Sequence, residues 1–248
     1  MARLQEGMAL IDETKSDAGI EILSKAIPAG CDEATAFHVR ALSYLEVHDY
    51  QRIQKTVDAL LYADFKRVLE LDPSDNFARG WMANLLRDQK RYLEAAKERR
   101  TLLHPRKPIK DPYENPRLNP EIWAECALDY EEGGDVDSGI AILKEYFASS
   151  ESKAKLRREA QAWPMRVLAG LLLKKGRTQE ALPYAKRAAR TKYAAGPDHL
   201  VYIQALEAVG KRAEALAAAE KAARQDPSIA DELSDTIARL KLAQTSKK

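Results

Sequence analysis

Six turn phrases recur along this chain of 248 residues, and their spacing limits what it can fold into more than any other feature. They read TKSDAGI (14–20), HDYQRI (48–53), QKRYLEA (89–95), GGDVDSGI (133–140), GRTQEAL (176–182) and GKRAEAL (210–216). Aligned on one another, they put equivalent turn positions at 14, 48, 90, 134, 176 and 210, with steps of 34, 42, 44, 42 and 34 residues. A period of this length marks one supersecondary unit repeated in tandem. A unit that small cannot bury its apolar face alone, so neighbouring copies must stack into a shared core.

The repeated unit is helical. Leu4, Met8 and Ile11 fall on one helical face, as do Leu168 and Leu172, and then Ala181, Ala185 and Ala188. Alanine, leucine, glutamate, lysine and arginine fill the segments, and these are the strong helix formers. Strand-like alternation of Val, Ile and Thr is nearly absent. Gly30, Pro73, Gly133–Gly134, Gly176, Gly196–Pro197, Gly210 and Pro227 punctuate the periodic stretches, where they stop one helix or start the next. The pattern predicts an all-α chain of about a dozen helices, each roughly 12 to 20 residues long.

Within each copy the small and bulky residues recur in phase. A small residue falls mid-way along the first helix of the pair at Gly7, Ala41, Ala83, Ala127 and Ala169, with Ile203 as the departure. Three positions on stands Leu10, Tyr44, Leu86, Tyr130, Leu172 or Leu206. The second helix carries a small residue at Gly19, Ala95, Gly139, Ala181 and Ala215, and another at Ala26, Ala188 and Ala222. Pro73 and Pro227 close two of the copies. In these positions the chain resembles a tetratricopeptide repeat (TPR) protein, in six loose copies over roughly residues 2–227. The resemblance implies a right-handed helical-hairpin solenoid, a TPR-like superhelix with a C-terminal capping helix. Nearly all the in-phase residues are then packing, and Trp81 and Trp123 belong with them.

One solenoid over 1–248 is expected, with three copies in 1–103, three in 119–227, a proline-rich loop at 104–118 and a cap at 228–244. The three longer steps carry insertions. QRIQKTVDALLYAD adds eight residues to the second copy, about two turns at 3.6 residues each, and predicts a long second helix from Tyr50 to Leu71. HPRKPIKDPYENPRLNP (104–120) holds five prolines, which forbid helix interior and predict an extended strap. That strap is a candidate internal ligand for the groove. SSESKAKLRRE (149–159) predicts extra turns before Trp163, with a kink or a short break there because Pro164 disfavours helical geometry in the residue before it.

Charge and motif content exclude several functions. Lys and Arg total 40 against 38 Asp and Glu, a net charge of +2, whereas a dedicated nucleic-acid binder shows a basic excess. The most basic stretches, Lys97–Arg100 and Lys186–Lys192, read as solvated helix faces, and DYEE at 129–132 reads as exposed acid at a helix end. Cys31 and Cys126 form no CxxC pair and read as small core residues. His38, His48, His104 and His199 form no HExxH, and the chain has no GxGxxG, GxxxxGK[ST] or GxSxG. No enzyme, no metal and no cofactor is expected. No membrane span is expected, because the longest apolar run, near Leu168–Leu173, falls well short of about 20 residues. A reducing, cytoplasmic location is the reading of the cysteine count.

What remains is binding. By the resemblance, first helices line a concave groove whose facing residues are His38, Phe77, Asn84, Arg87, Arg166, Lys174 and Gln204, with Trp163 as an aromatic anchor. The repeat domains that grip acidic C-terminal tails of heat-shock chaperones use lysine, asparagine and arginine in a two-carboxylate clamp. The matching positions here hold Leu4, Met8, Val39, Phe77 and Trp81, so that clamp is absent. The function expected is a non-catalytic protein-interaction scaffold or adaptor that holds a partner's peptide or helix in the groove. The alternatives are a structural subunit of a multiprotein complex, using its convex face and long helix, and an RNA-binding helical repeat.

Overall fold

A computed structural model of the chain describes residues 16–27, 33–46, 50–105, 109, 115–149, 161–192 and 194–245; at 16–19, 26, 43–46, 50–58, 228 and 244–245 only the backbone is described. The first copy's leading helix with Gly7 and Leu10, Gly30 and Cys31, most of the proline strap and residues 150–160 lie outside these. The described residues form twelve α-helices and no strand. They fall into two compact units, 1–108 and 109–248.

The first unit contains α1 (Ser16–Ala26), α2 (Ala34–Glu46), α3 (Tyr50–Leu71), α4 (Asn76–Asp88) and α5 (Tyr92–Leu103). Each helix packs on the next, and α2 with α3 and α4 with α5 form hairpin pairs. The second unit contains α6 (Pro120–Glu132), α7 (Val136–Ala148), α8 (Ala162–Lys174), α9 (Thr178–Ala188), α10 (Gly196–Ala208), α11 (Arg212–Gln225) and α12 (Ala230–Thr245). Here α6, α8 and α10 also pack on one another, so they form a row of first helices, and α12 lies on α11. Most helices are 11 to 14 residues long, at the lower end of the expected range; α12 has 16 residues and α3 has 22.

Turn chemistry sets the pairing. At the end of α4, α6, α8 and α10 the residues Lys90, Gly134, Gly176 and Gly210 all have positive φ, at 60°, 87°, 69° and 80°. Around each, the same two hydrogen bonds close. Arg91 N donates to Leu86 O, Asp135 N to Tyr130 O, Arg177 N to Leu172 O and Lys211 N to Leu206 O, all at 2.8 Å. The preceding amides, at Lys90, Gly134, Gly176 and Gly210, reach back three residues. This Schellman cap satisfies carbonyls that the helix end would leave orphaned. The four positions are the turn positions read from sequence spacing. Lys90 shows that the register holds even without glycine, at the cost of a Cβ in left-handed backbone.

Small residues then let the second helix lie close. A Cβ placed on Gly139 of α7 would sit 2.8 Å from the Ala127 carbonyl oxygen of α6 and 3.2 Å from Leu171 Cδ1 of α8. Ala41, Ala83, Ala95, Ala127, Ala169, Ala181, Ala188 and Ala215 are all fully buried at the corresponding contacts. Ile203, the departure, is buried as well. In the first unit Arg40 of α2 donates to both carboxylate oxygens of Asp64 of α3, at 2.8 and 2.5 Å. Burial pushes the Asp64 carboxyl up, and the Arg40 hydrogen bonds pull only partly the other way.

Three local expectations need correction. Trp163 carries no kink, because α8 begins at Ala162 and Pro164 falls in its first turn, where its missing N–H leaves no bond unmade. Asp129 is fully buried rather than exposed, since it shares a face of α6 with the core residues Cys126 and Ala127. Arg99, in the basic run 97–100, is likewise buried and donates to Asn84 Oδ1 at 2.6 Å. Trp81 packs against the first unit's core as expected, and is half-buried there.

Two substitutions test this account. Gly139→Ala should cost about 1–3 kcal/mol of stability, read as a lower urea midpoint, because the clash is with rigid backbone. Lys90→Gly should leave the fold unchanged and raise stability by about 0.5–1 kcal/mol, read in the same titration.

Candidate peptide-binding site

In the first unit the first helices α2 and α4 bring an aromatic cluster to the surface. The Asp75 side chain caps α4, accepting from Ala78 N at 2.8 Å, and this fixes where Phe77 and Trp81 begin their helical spacing. His38 of α2 stacks on Phe77, with centroids 4.9 Å apart and planes 22° from parallel. Its Nδ1 donates to Asp75 Oδ2 at 3.1 Å, so one carboxylate both caps the helix and orients the imidazole. Phe65 of α3 lies beneath, 6.4 Å from Phe77 and 6.3 Å from Trp81, nearly parallel to the indole. Phe77 and Trp81 are 6.2 Å apart. Phe65 is fully buried, His38 and Trp81 are half-buried, and Phe77 is 44% exposed.

Asn84 continues this face at the 77, 81, 84 spacing, which places the three side chains one above another. It is exposed, and while Oδ1 accepts from Arg99 its amide N–H groups keep their donor capacity. Arg87 turns away, with its guanidinium 6.0 Å over the Tyr92 ring. The structure thus joins His38, Phe77 and Asn84, adds Trp81 to them, and sets Arg87 apart. Sequence reasoning had assigned Trp81 to packing. The signal that it faces outward was its place among the clamp-matched positions, next to Phe77.

In the second unit Trp163, Arg166 and Lys174 share a face of α8, and Gln204 is exposed on α10. The charged pair is already engaged. Arg166 Nε donates to Asp198 Oδ1 at 3.1 Å, and Asp198 Oδ2 accepts from Ala195 N at 2.9 Å at the start of α10. Lys174 Nζ donates to Glu131 Oε1 of α6 at 3.1 Å. Both cations therefore tie one first helix to the next. Trp163 is half-buried in the first turn of α8.

Among the described residues no group of three or more His, Cys, Asp or Glu is placed to hold a metal ion. No described helix is long and apolar enough to cross a membrane. The chemistry on offer at the aromatic face is apolar contact, ring stacking and hydrogen bonding from the Asn84 amide.

Burial alone would raise the Asp75 carboxyl, but hydrogen bonds from His38 and from the amides of Ala78 and Phe77 together hold it below its usual value. A depressed carboxyl stabilises the fold fully above its unfolded pKa and loses that contribution as pH falls through the folded one. Asp75→Ala should therefore cost about 1 kcal/mol at neutral pH. The gap to the unmodified chain should close as pH drops below about 4, as measured by urea unfolding along a pH series.

No protein-family model matches the chain, and no curated protein matches it. Solved structures do. A chain of the Naa15/Naa10 assembly bound to HypK-THB aligns with a TM-score of 0.60 at 15% identity over 96% of this chain. This chain spans only 33% of that one. YrrB, described as a TPR protein with an unusual peptide-binding site, aligns with a TM-score of 0.58 at 16% identity, covering 83% of this chain and 92% of its own. PilF of Pseudomonas aeruginosa aligns with a TM-score of 0.53 at 18% identity, covering 91% of each chain.

Proposed function

Starting from the tetratricopeptide-repeat fold that the chain has, we propose that it is a non-catalytic interaction scaffold whose α2–α4 face holds a peptide or helix of a protein partner. One observation carries the reading: a four-ring cluster opens at Phe77 on a first-helix face. Large aromatics that keep a rigid base and one open face are the residues that anchor interfaces. YrrB, of the same fold, carries a peptide-binding site, so the architecture suits the role.

The chemistry of the face narrows the ligand. Positions that hold cations in the two-carboxylate clamp are Phe77 and Trp81 here, so an apolar or aromatic side chain suits this surface better than an acidic tail. The Asn84 amide can donate to a bound backbone carbonyl. The alternative, a structural subunit using the long helix, has less support. Among the described large apolar side chains of α3 only Leu60 is exposed, and single exposed apolar residues are ordinary.

The test is peptide selection from a displayed random library on the full chain, followed by affinity measurement with Phe77→Ala and with Leu93→Ala as an exposed apolar control on α5. Selected peptides should share an aromatic or large apolar residue. Phe77→Ala should weaken them about tenfold or more, and Leu93→Ala should leave them unchanged. Equal affinity for both variants would sink the reading.

A further inference from the structure

On the second unit, between α9 and α11, lies a cleft of about 380 Å³ that the proposed aromatic face does not include. Its floor comes from His199 and Tyr202 of α10. One wall carries Lys186 and Arg190, and the other carries Lys221 together with the small residues Ala217, Ala218 and Ala222. Two of these cations come from the basic run 186–192 that the sequence places on a solvated face.

The charge of the cleft is uncompensated. Elsewhere in this unit surface cations hold carboxylates: Lys144 and Arg177 hold Glu180, Lys175 holds Asp137, Arg239 holds Glu207 and Lys241 holds Glu220. Among the described residues Lys186, Arg190 and Lys221 hold none. Glu214 is the single acid in the lining, and Lys211 already takes it at 2.8 Å. The carbonyls at the end of α9 favour cations on that wall. They do not account for Lys221, which stands inside α11 on the opposite wall.

We propose that this cleft binds an acidic segment of a protein partner. Carboxylates on the segment are taken by Lys186, Arg190 and Lys221 from the two sides, as charge-assisted hydrogen bonds. The Ala217 and Ala218 side chains are short enough for a peptide backbone to lie between the walls, and the Tyr202 hydroxyl is a donor on the floor. The cations are too few, and the floor too poor in stacking surface, for a nucleic-acid track, which needs a longer basic groove with aromatic platforms. This site stands independently of the aromatic face in the first unit.

The experiment is fluorescence anisotropy of a labelled oligoglutamate peptide against the full chain, at low and at physiological ionic strength. Saturable binding that weakens with salt is expected. Lys186→Glu/Lys221→Glu should lose about tenfold or more, while the exposed control pair Lys66→Glu/Lys97→Glu in the first unit should bind as before. Ala217→Trp, which narrows the cleft from the α11 wall without altering charge, should weaken binding comparably. The proposal is overturned if the peptide does not bind, or if either cleft variant binds within twofold of the unmodified chain. It is also overturned if single-stranded RNA of equal charge competes more tightly than the peptide.

Discussion

The close approach of each second helix to its first helix is the contact on which everything else in this chain depends. It needs a small side chain at the crossing, supplied by Ala215 alone where the first helix carries Ile203, and at Gly139 even a methyl group would strike the Ala127 carbonyl oxygen. With the backbones that near, the bulky residue a turn further on is free to point towards the next copy. The apolar surface that a lone hairpin would leave open is then covered by its neighbour, which is why the core is built copy by copy. Polar side chains follow from the same spacing. Arg40 reaches Asp64, and Arg99 reaches Asn84, because the two helices of a pair are close enough for one extended side chain to span them.

The turn register was legible because it is local. A Schellman cap is made by six consecutive residues, and its first residue is the bulky position of the repeat: Leu86, Tyr130, Leu172 or Leu206. Finding the turn therefore also locates that residue. Small-residue positions were legible for a related reason, since they lie at fixed offsets from the turn. The long α3 was legible because eight inserted residues without a helix breaker can only extend a helix that is already running.

Burial of individual polar residues was not legible, because it depends on which face of a helix meets its neighbour. Asp129 and Glu132 are both acids at the end of α6, yet one is fully buried and the other exposed. Arg99 and Arg100 differ in the same way. Of the candidate site residues, His38, Phe77 and Asn84 were found at a common face, whereas Arg87, Arg166 and Lys174 were chosen for their charge and prove to be engaged within the fold. A list of residue types cannot separate a cation offered to a ligand from one already holding a helix.

That separation divides the chemistry between the two units. On the first helices of the second unit, Arg166 is already charge-paired with Asp198, so a ligand carboxylate competes with that pair for the guanidinium. Asp198 is nearly buried, and leaving a buried carboxylate without its cation is more costly than losing an exposed pair. Charge recognition on that face is thus opposed by the ties that hold its helices in a row. The aromatic face of the first unit has no such conflict, since Phe77 and Trp81 give up no partner when they are covered. The cations between α9 and α11 have none to give up either. The proposed recognition, by apolar contact at one surface and by charge at the other, rests on which side chains the packing has left unspent.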